Sequence, residues 1–187
     1  IFTSGASEAL WIALNRAKAK RRIVSAVEHD AVFRAAPDAE VVPIGEYQMP
    51  DLGILIDMID AGPPAIVALQ TINSETGAVV CNFPTADNEI AQAFERRGSL
   101  LLADCSQSAG KLRLPWADMV VVSAHKFGGP IGIGALLVKD FAMLEPIGGH
   151  ERGYRQGTEN LPAALGMAAA LEVGGRDAWA TTEDQGM

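Results

Sequence analysis

Six strand candidates recur along the chain, most of them uninterrupted apolar runs too short for a buried helix: Arg22–Val27, Glu40–Pro43, Ala65–Leu69, Leu100–Ala103, Met119–Ser123 and Ala135–Val138. An unbroken apolar strand has no face to offer water, so each must be covered on both sides. Helical patterns over Ser7–Lys20, Ala31–Ala36, Leu52–Ala61 and Thr85–Arg97 separate several of these runs and can supply the cover. Pro63-Pro64 and Gly98 punctuate the units, with Gly98 well placed to end a helix. Strand alternating with helix predicts right-handed crossovers and an α/β fold, a three-layer α/β/α sandwich around a mostly parallel sheet. After Glu159 the pattern gives one apolar helix, Leu161 to Val173, and then a polar end.

At 187 residues, 49% hydrophobic and 20% charged, the chain can build one domain with a sizeable core. Its 15 Lys and Arg against 23 Asp and Glu leave a net charge of -8, which argues against a nucleic-acid surface. The one basic run, Lys18-Ala19-Lys20-Arg21-Arg22, reads as the solvated end of the first helix. No uninterrupted apolar stretch is long enough to span a bilayer, and membrane partners have no support. Two cysteines without close spacing, Cys81 and Cys105, give neither a zinc site nor a disulfide framework, and both look like small buried apolar residues. This composition fits a cytoplasmic enzyme domain.

The chemistry concentrates where strands end. Met119 to Val122 runs into Ser123-Ala124-His125-Lys126-Phe127-Gly128-Gly129-Pro130. Desolvation at the end of a buried strand disfavours an ammonium, which is how a lysine becomes nucleophilic enough to condense with a carbonyl cofactor. Ser123 and His125 can bond an anion; the bland alternative for Lys126 is a side chain snorkelling from a strand end. Leu100-Leu101-Leu102-Ala103 likewise ends in Asp104-Cys105-Ser106-Gln107-Ser108. Open α/β sheets bind ligands at the carboxyl ends of their strands. An acid there can pair with the pyridine nitrogen of pyridoxal phosphate, and Gln107 can donate to the ring oxygen, although Asp also favours helix N-caps. Thr3-Ser4-Gly5 leads into the first helix, whose free N–H groups suit a phosphate and equally suit a simple cap.

These pieces together resemble the large domain of a cysteine desulfurase, in the class V branch of fold-type I pyridoxal-phosphate enzymes. The matching stretches are Thr3-Ser4-Gly5-Ala6-Ser7-Glu8, Val27-Glu28-His29-Asp30-Ala31-Val32, Asn73-Ser74-Glu75-Thr76-Gly77, Asp104 to Ser108 and Ser123 to Leu136. Gly148-Gly149-His150-Glu151-Arg152-Gly153 and Arg155-Gln156-Gly157-Thr158 follow in the family's order.

The resemblance implies pyridoxal 5'-phosphate as cofactor, with Lys126 as the lysine that carries it. Asp104 is implied as the partner of the pyridine nitrogen and Gln107 as that of the ring hydroxyl oxygen. His29 is implied as the histidine that stacks on the ring and shuttles protons; for an isolated histidine a core or capping role would be preferred. Ala6, Ser7, Ser123 and His125 match the phosphate cup. Thr158 matches a threonine reaching the neighbouring subunit's phosphate, which implies a homodimer with shared sites. The family reads Asn-Asn-Glu where this chain has Asn73-Ser74-Glu75, so either Asn73 or Ser74 contacts the cofactor.

For the complete protein the resemblance implies removal of sulfur from L-cysteine to give alanine and an enzyme persulfide. A sulfur-acceptor protein and a use in iron–sulfur cluster biosynthesis go with it. The alternatives are a class V aminotransferase or lyase acting on another amino acid, and a non-catalytic fragment serving as a dimerisation module. The family's sulfur-accepting cysteine and substrate-binding arginine belong to a C-terminal small domain, and nothing after Thr158 matches them. We therefore expect a piece of a longer protein. Residues 1–175 would be the cofactor-binding large domain, incomplete at its N-terminus, and 176–187 the start of a tail toward the small domain. On its own such a piece would turn over weakly or not at all, and its uncovered apolar surface would favour association.

Overall fold

The computed structural model describes residues 1–45, 49–80 and 88–173. Their strands form a seven-stranded sheet: β1 (Phe2–Thr3), β2 (Arg21–Ser25), β3 (Glu40–Val42), β4 (Ala65–Gln70), β5 (Leu100–Asp104), β6 (Met119–Ser123) and β7 (Gly134–Val138). The order across the sheet is β1-β7-β6-β5-β4-β2-β3. From β3 to β6 every neighbouring pair is parallel, while β7 runs antiparallel to β6 and β1 antiparallel to β7. The six expected strands are all present. The two-residue β1 carries no pattern of its own and exists because β7 offers it an edge.

Side-chain alternation sorts the helices into two layers. Val24, Ile66, Ala68, Leu102, Val121 and Leu136 point to one face, where α1 (Ala6–Arg16) and α2 (Asp30–Ala35) pack Leu10, Leu14 and Val32 against them. The intervening residues Ile23, Val67, Leu69 and Leu101 meet Leu55 and Ile59 of α3 (Leu52–Asp60) and Phe94 of α4 (Glu89–Arg97). Farther along that second face, Val120, Val122 and Ala135 meet Ala163 and Met167 of α5 (Leu161–Val173). The result is the expected α/β/α sandwich. Apolar residues at adjacent positions in one strand are needed because both faces are covered.

Helix boundaries follow local chemistry. Asp51 accepts from Ile54 N (3.0 Å) at the start of α3, and Asn88 accepts from Ala91 N (3.0 Å) at the start of α4. Gly98 ends α4 in the left-handed conformation (φ 62°), where a Cβ would be strained. The expected start of that helix at Thr85, together with Cys81 and the tail 176–187, lies outside the described residues.

One expectation is corrected. The first helix stops at Arg16, so Lys18 to Arg22 is not its solvated end. Ala17 leaves the helix to bridge Leu144, Lys18 N donates to Met143 O (2.8 Å), and Arg21 already begins β2. The charges are used laterally: Arg21 Nε lies 2.7 Å from Glu40 Oε1, and Arg22 Nη1 lies 3.2 Å from Asp38 Oδ2. Backbone pairing with a distant segment outcompetes further helical turns.

α5 is apolar around most of its circumference. It buries Ala163 and Met167 and leaves Leu161, Leu165, Leu171 and Val173 exposed. Among the described residues no helix is long and apolar enough to cross a membrane.

β7 touches the start of α1 at Gly134. A Cβ there would stand 2.6 Å from the Val122 carbonyl oxygen and 2.9 Å from Gly5 Cα, both backbone atoms that cannot swing aside. Gly134→Ala should therefore destabilise the protein by about 1–3 kcal/mol, as overpacking does. A shifted midpoint in urea denaturation, read by circular dichroism, checks this; an unchanged midpoint would show that the contact yields freely.

Candidate active site

Because β2, β4, β5 and β6 are parallel, their carboxyl ends share one edge of the sheet, and the polar residues that end these strands gather there. A cavity of about 430 Å³ opens at this edge. Its wall includes Ala6 and Ser7 from the start of α1, His29 after β2, Gln70 at the end of β4 and Ser74 beyond it, Asp104 at the end of β5 and Gln107 beyond it, and Ser123 at the end of β6 with His125 and Lys126 beyond it.

Lys126 sits in a 3₁₀ turn, Ala124–Phe127. Ala124 and Phe127 are buried in the core, so the turn is anchored by its ends and presents His125 and a half-buried Lys126 to the cavity. Ser123, itself buried, places its Oγ 3.1 Å from His125 Nδ1.

Asp104 is buried and does not cap a helix. Its Oδ1 accepts from Ser106 N (2.9 Å) and Ser106 Oγ (2.5 Å), closing a turn. Burial pushes its carboxyl above the ordinary value, while the Ser106 bonds and the nearby His29 and Lys126 work the other way. A buried acid in this state gains most from a cation brought to it, and a protonated pyridine nitrogen is such a cation.

His29 combines both roles that the sequence left open. Its Nδ1 accepts from Ala31 N (3.1 Å), capping α2, and its ring lines the cavity. A backbone N–H can only donate, so the neutral ring carries its proton on Nε2.

At α1, no side chain among the described residues caps the helix, and its first-turn amides remain for an anion beside Ser7, Ser123 and His125. A phosphate-bearing pyridine aldehyde therefore finds, in one cavity, an amine, a buried acid, an imidazole and a helix N-terminus. The residues fit pyridoxal phosphate.

Two expected residues stand off the wall. Asn73 spends its side chain on its own loop: Oδ1 accepts from Glu75 N (2.9 Å) and Thr76 N (3.0 Å), while Nδ2 donates to Val27 O (3.4 Å). Its neighbour Ser74 is the one that lines the cavity. Thr158 is exposed and does not line the cavity; its carbonyl accepts from Arg155 Nη1 (3.4 Å).

Sequence reasoning missed the role of Glu8. Its Oε2 accepts from Ser4 N (2.5 Å) and its Oε1 from Arg155 Nε (3.0 Å), joining the first turn of α1 to the loop that ends at Thr158. Burial tends to raise this carboxyl, but the Ser4 and Arg155 bonds outweigh it and hold it below its ordinary value. Glu8 and Arg155 both fall within the matching stretches, but a separation of 147 residues hides the pair from any local pattern.

The model of the family "Aminotransferase class-V" matches residues 1–183. The chain belongs to the class-V aminotransferase family. The cysteine desulfurase IscS 1 of Archaeoglobus fulgidus is 32% identical over 193 residues, covering 92% of this chain and 49% of that protein. A cysteine desulfurase of Cereibacter sphaeroides is 37% identical, covering 94% of this chain and 49% of its own length. Among solved structures, DndA from Streptomyces lividans superposes with a TM-score of 0.75 at 31% identity, covering 93% of this chain and 55% of that one. A NifS-like protein from Rickettsia africae shares the fold with a TM-score of 0.79 at 23% identity, over 92% of this chain and 50% of that one. The class-V chain thus spans about half the length of the curated relatives it matches.

Two outcomes test the site. His29→Ala should lose the cap as well as the ring and cost about 1 kcal/mol of stability, whereas His29→Asn, a good N-cap, should keep the stability and lose only the ring. Paired thermal melts decide; equal losses in both would mean that the cap bond carries no weight. Cys105 is fully buried, and burial pushes its thiol up to about 11. In a Cys81→Ser background it should resist iodoacetamide at pH 8 until the protein is unfolded. Rapid labelling of the native protein, read by mass spectrometry, would contradict this.

Proposed function

We propose that this chain is the cofactor-carrying part of a cysteine desulfurase. The observation that carries the reading is the meeting of Lys126, Asp104, His29 and the uncapped start of α1 in one cavity. Bound there, pyridoxal phosphate supplies an electron sink that activates bonds at the α- and β-carbons of an amino acid.

The chain's own residues do the rest. Lys126 Nζ is the amine that holds the cofactor, and once freed it moves protons. Asp104, as a carboxylate, keeps the pyridine nitrogen protonated. Gln107 orients the ring oxygen from the turn after β5. His29, fixed by its bond to Ala31 N, offers a flat ring for stacking and an Nε2 proton. Ala6, Ser7, Ser123 and His125 hold the phosphate, with Ser74 rather than Asn73 at the ring.

L-Cysteine is the proposed substrate, converted to alanine as its sulfur passes to a cysteine of the complete protein. The curated relatives named cysteine desulfurase support this. So does a structure titled "SspA in complex with cysteine", 26% identical with a TM-score of 0.75. Cys105 does not suit the sulfur-accepting role, since its thiol is buried and kept protonated. The reading includes a cytoplasmic homodimer sharing its sites, a sulfur-acceptor protein and service to iron–sulfur clusters. Exposed Thr158 and the uncovered leucines of α5 support the dimer.

The test begins with the visible spectrum of purified protein titrated with pyridoxal phosphate. The parent should develop a band from the lysine-bound cofactor that Lys126→Ala lacks. Asp104→Ala should weaken binding about tenfold or more, the scale of a lost charge-assisted bond. Full-length protein should then release alanine from L-cysteine. A band that survives in Lys126→Ala would overturn the reading, and turnover of another amino acid without sulfur release would point to an aminotransferase or lyase.

A further inference from the structure

Directly behind His29, Glu28 is 7% exposed, and nothing in the proposed chemistry uses it. Its Oε1 accepts from Ser25 Oγ (2.5 Å) at the end of β2 and from Gln70 N (3.0 Å) at the end of β4. Gln70 answers in kind, since its Nε2 donates to the carbonyl of Val27. Asn73 Nδ2 donates to that same carbonyl at 3.4 Å. The turn from β2 to α2 is thus sewn to the end of β4, and both neighbours of the seam, His29 and Gln70, line the cavity.

We propose that Glu28 is a positioning residue of this site: its carboxyl clamps the end of β2 to the end of β4 and so sets where His29 stands over the cavity. The proposal rests on the cofactor reading above for its consequence, and on geometry for its cause.

The state of the carboxyl agrees. Burial pushes Glu28 up to about 8; the nearby charge of Asp104 adds to this, while the Ser25 and Gln70 bonds oppose it. At neutral pH this favours the protonated acid, with Oε1 as the acceptor. Oε2 is buried and has no hydrogen-bond partner among the described residues, a position that a full negative charge would make costly. The titratable groups around it are Asp104 at the end of β5 and, acting on Asp104, His29 from its own turn and Lys126 from the turn after β6. A neutral clamp leaves Asp104 as the negative charge facing the cofactor.

Glutamine has the same shape and the same acceptor, whereas methionine fills the space without one. In Glu28→Met the imidazole resonances of His29, read by NMR without cofactor, should move, and in Glu28→Gln they should stay. Affinity for pyridoxal phosphate should fall about tenfold in Glu28→Met and stay within about twofold in Glu28→Gln, the scale of coupling between touching residues. In a His29→Asn background, Glu28→Met should cost nothing further, because its effect runs through His29. Unmoved His29 resonances, or losses that simply multiply, would overturn the proposal.

Should Glu28→Met fail to fold, the parent and Glu28→Gln still decide. An acid whose folded value lies above its unfolded one binds more protons folded than unfolded between those values. Stability from Glu28 is therefore present below about 4.5 and is lost as pH rises toward about 8. Asp104 has the same sign in both proteins, so the difference isolates Glu28. Urea midpoints should fall with pH less steeply in Glu28→Gln than in the parent; identical slopes would refute the neutral clamp. Neither the NMR nor the urea arm needs cofactor, so a failed cofactor titration in the parent would remove the functional reading and leave the clamp to be judged separately.

Discussion

Parallel pairing of β2, β4, β5 and β6 is the constraint on which the rest of this structure depends. A sheet covered on both faces has no room for polar side chains along its strands, so they are expelled to the ends. Parallel strands end on the same side. Asp104, Ser123, Gln70 and the Glu28-His29 pair are brought to one edge by that fact alone, from segments separated by up to about a hundred residues. The antiparallel β7 returns along the sheet, and Gly134 lets it press against the turn at Gly5 that opens α1. The phosphate-type helix start and the acid–amine pair consequently share one cavity.

Within that cavity the charges are sparse and each has a local reason. Asp104 and Glu28 are both buried acids, yet they are held differently. Asp104 lines the wall and is bonded through a single oxygen to Ser106, which suits it to receive a cation. Glu28 lies behind the wall with its bonds directed at the strand ends, which suits a neutral clamp. His29 lines the wall, its Nδ1 committed to α2. One histidine thus serves as helix cap and ligand surface, two demands that do not conflict because the cap uses a ring edge and stacking uses a ring face.

Much of this is legible in the sequence. Continuous apolar runs fixed the strands to within a residue or two, since a doubly covered strand leaves no other pattern. Strand ends followed by Asp104 or by Ser123-Ala124-His125-Lys126 announced a site, because such folds bind ligands there. Other features were not legible. β1 is too short to carry a period and depends on the β7 edge. The first helix ends at Arg16 because Ala17 finds a backbone partner in Leu144, a pairing across the chain that local propensity cannot register. Asn73 and Ser74 could be ranked only once Asn73 was seen bonding the amides of Glu75 and Thr76.

The sequence by itself therefore determined the layered α/β architecture and the inventory of reactive groups, because these rest on local period and residue type, and it pointed to the family through matching stretches in the family's order. Tertiary structure alone decided which groups meet. It joined Glu8 to Arg155 across most of the chain, and it set Glu28 behind His29 in a place where water cannot support a charge. Proton affinity and side-chain orientation depend on what surrounds a group in space, and that neighbourhood comes into being only when the strands align.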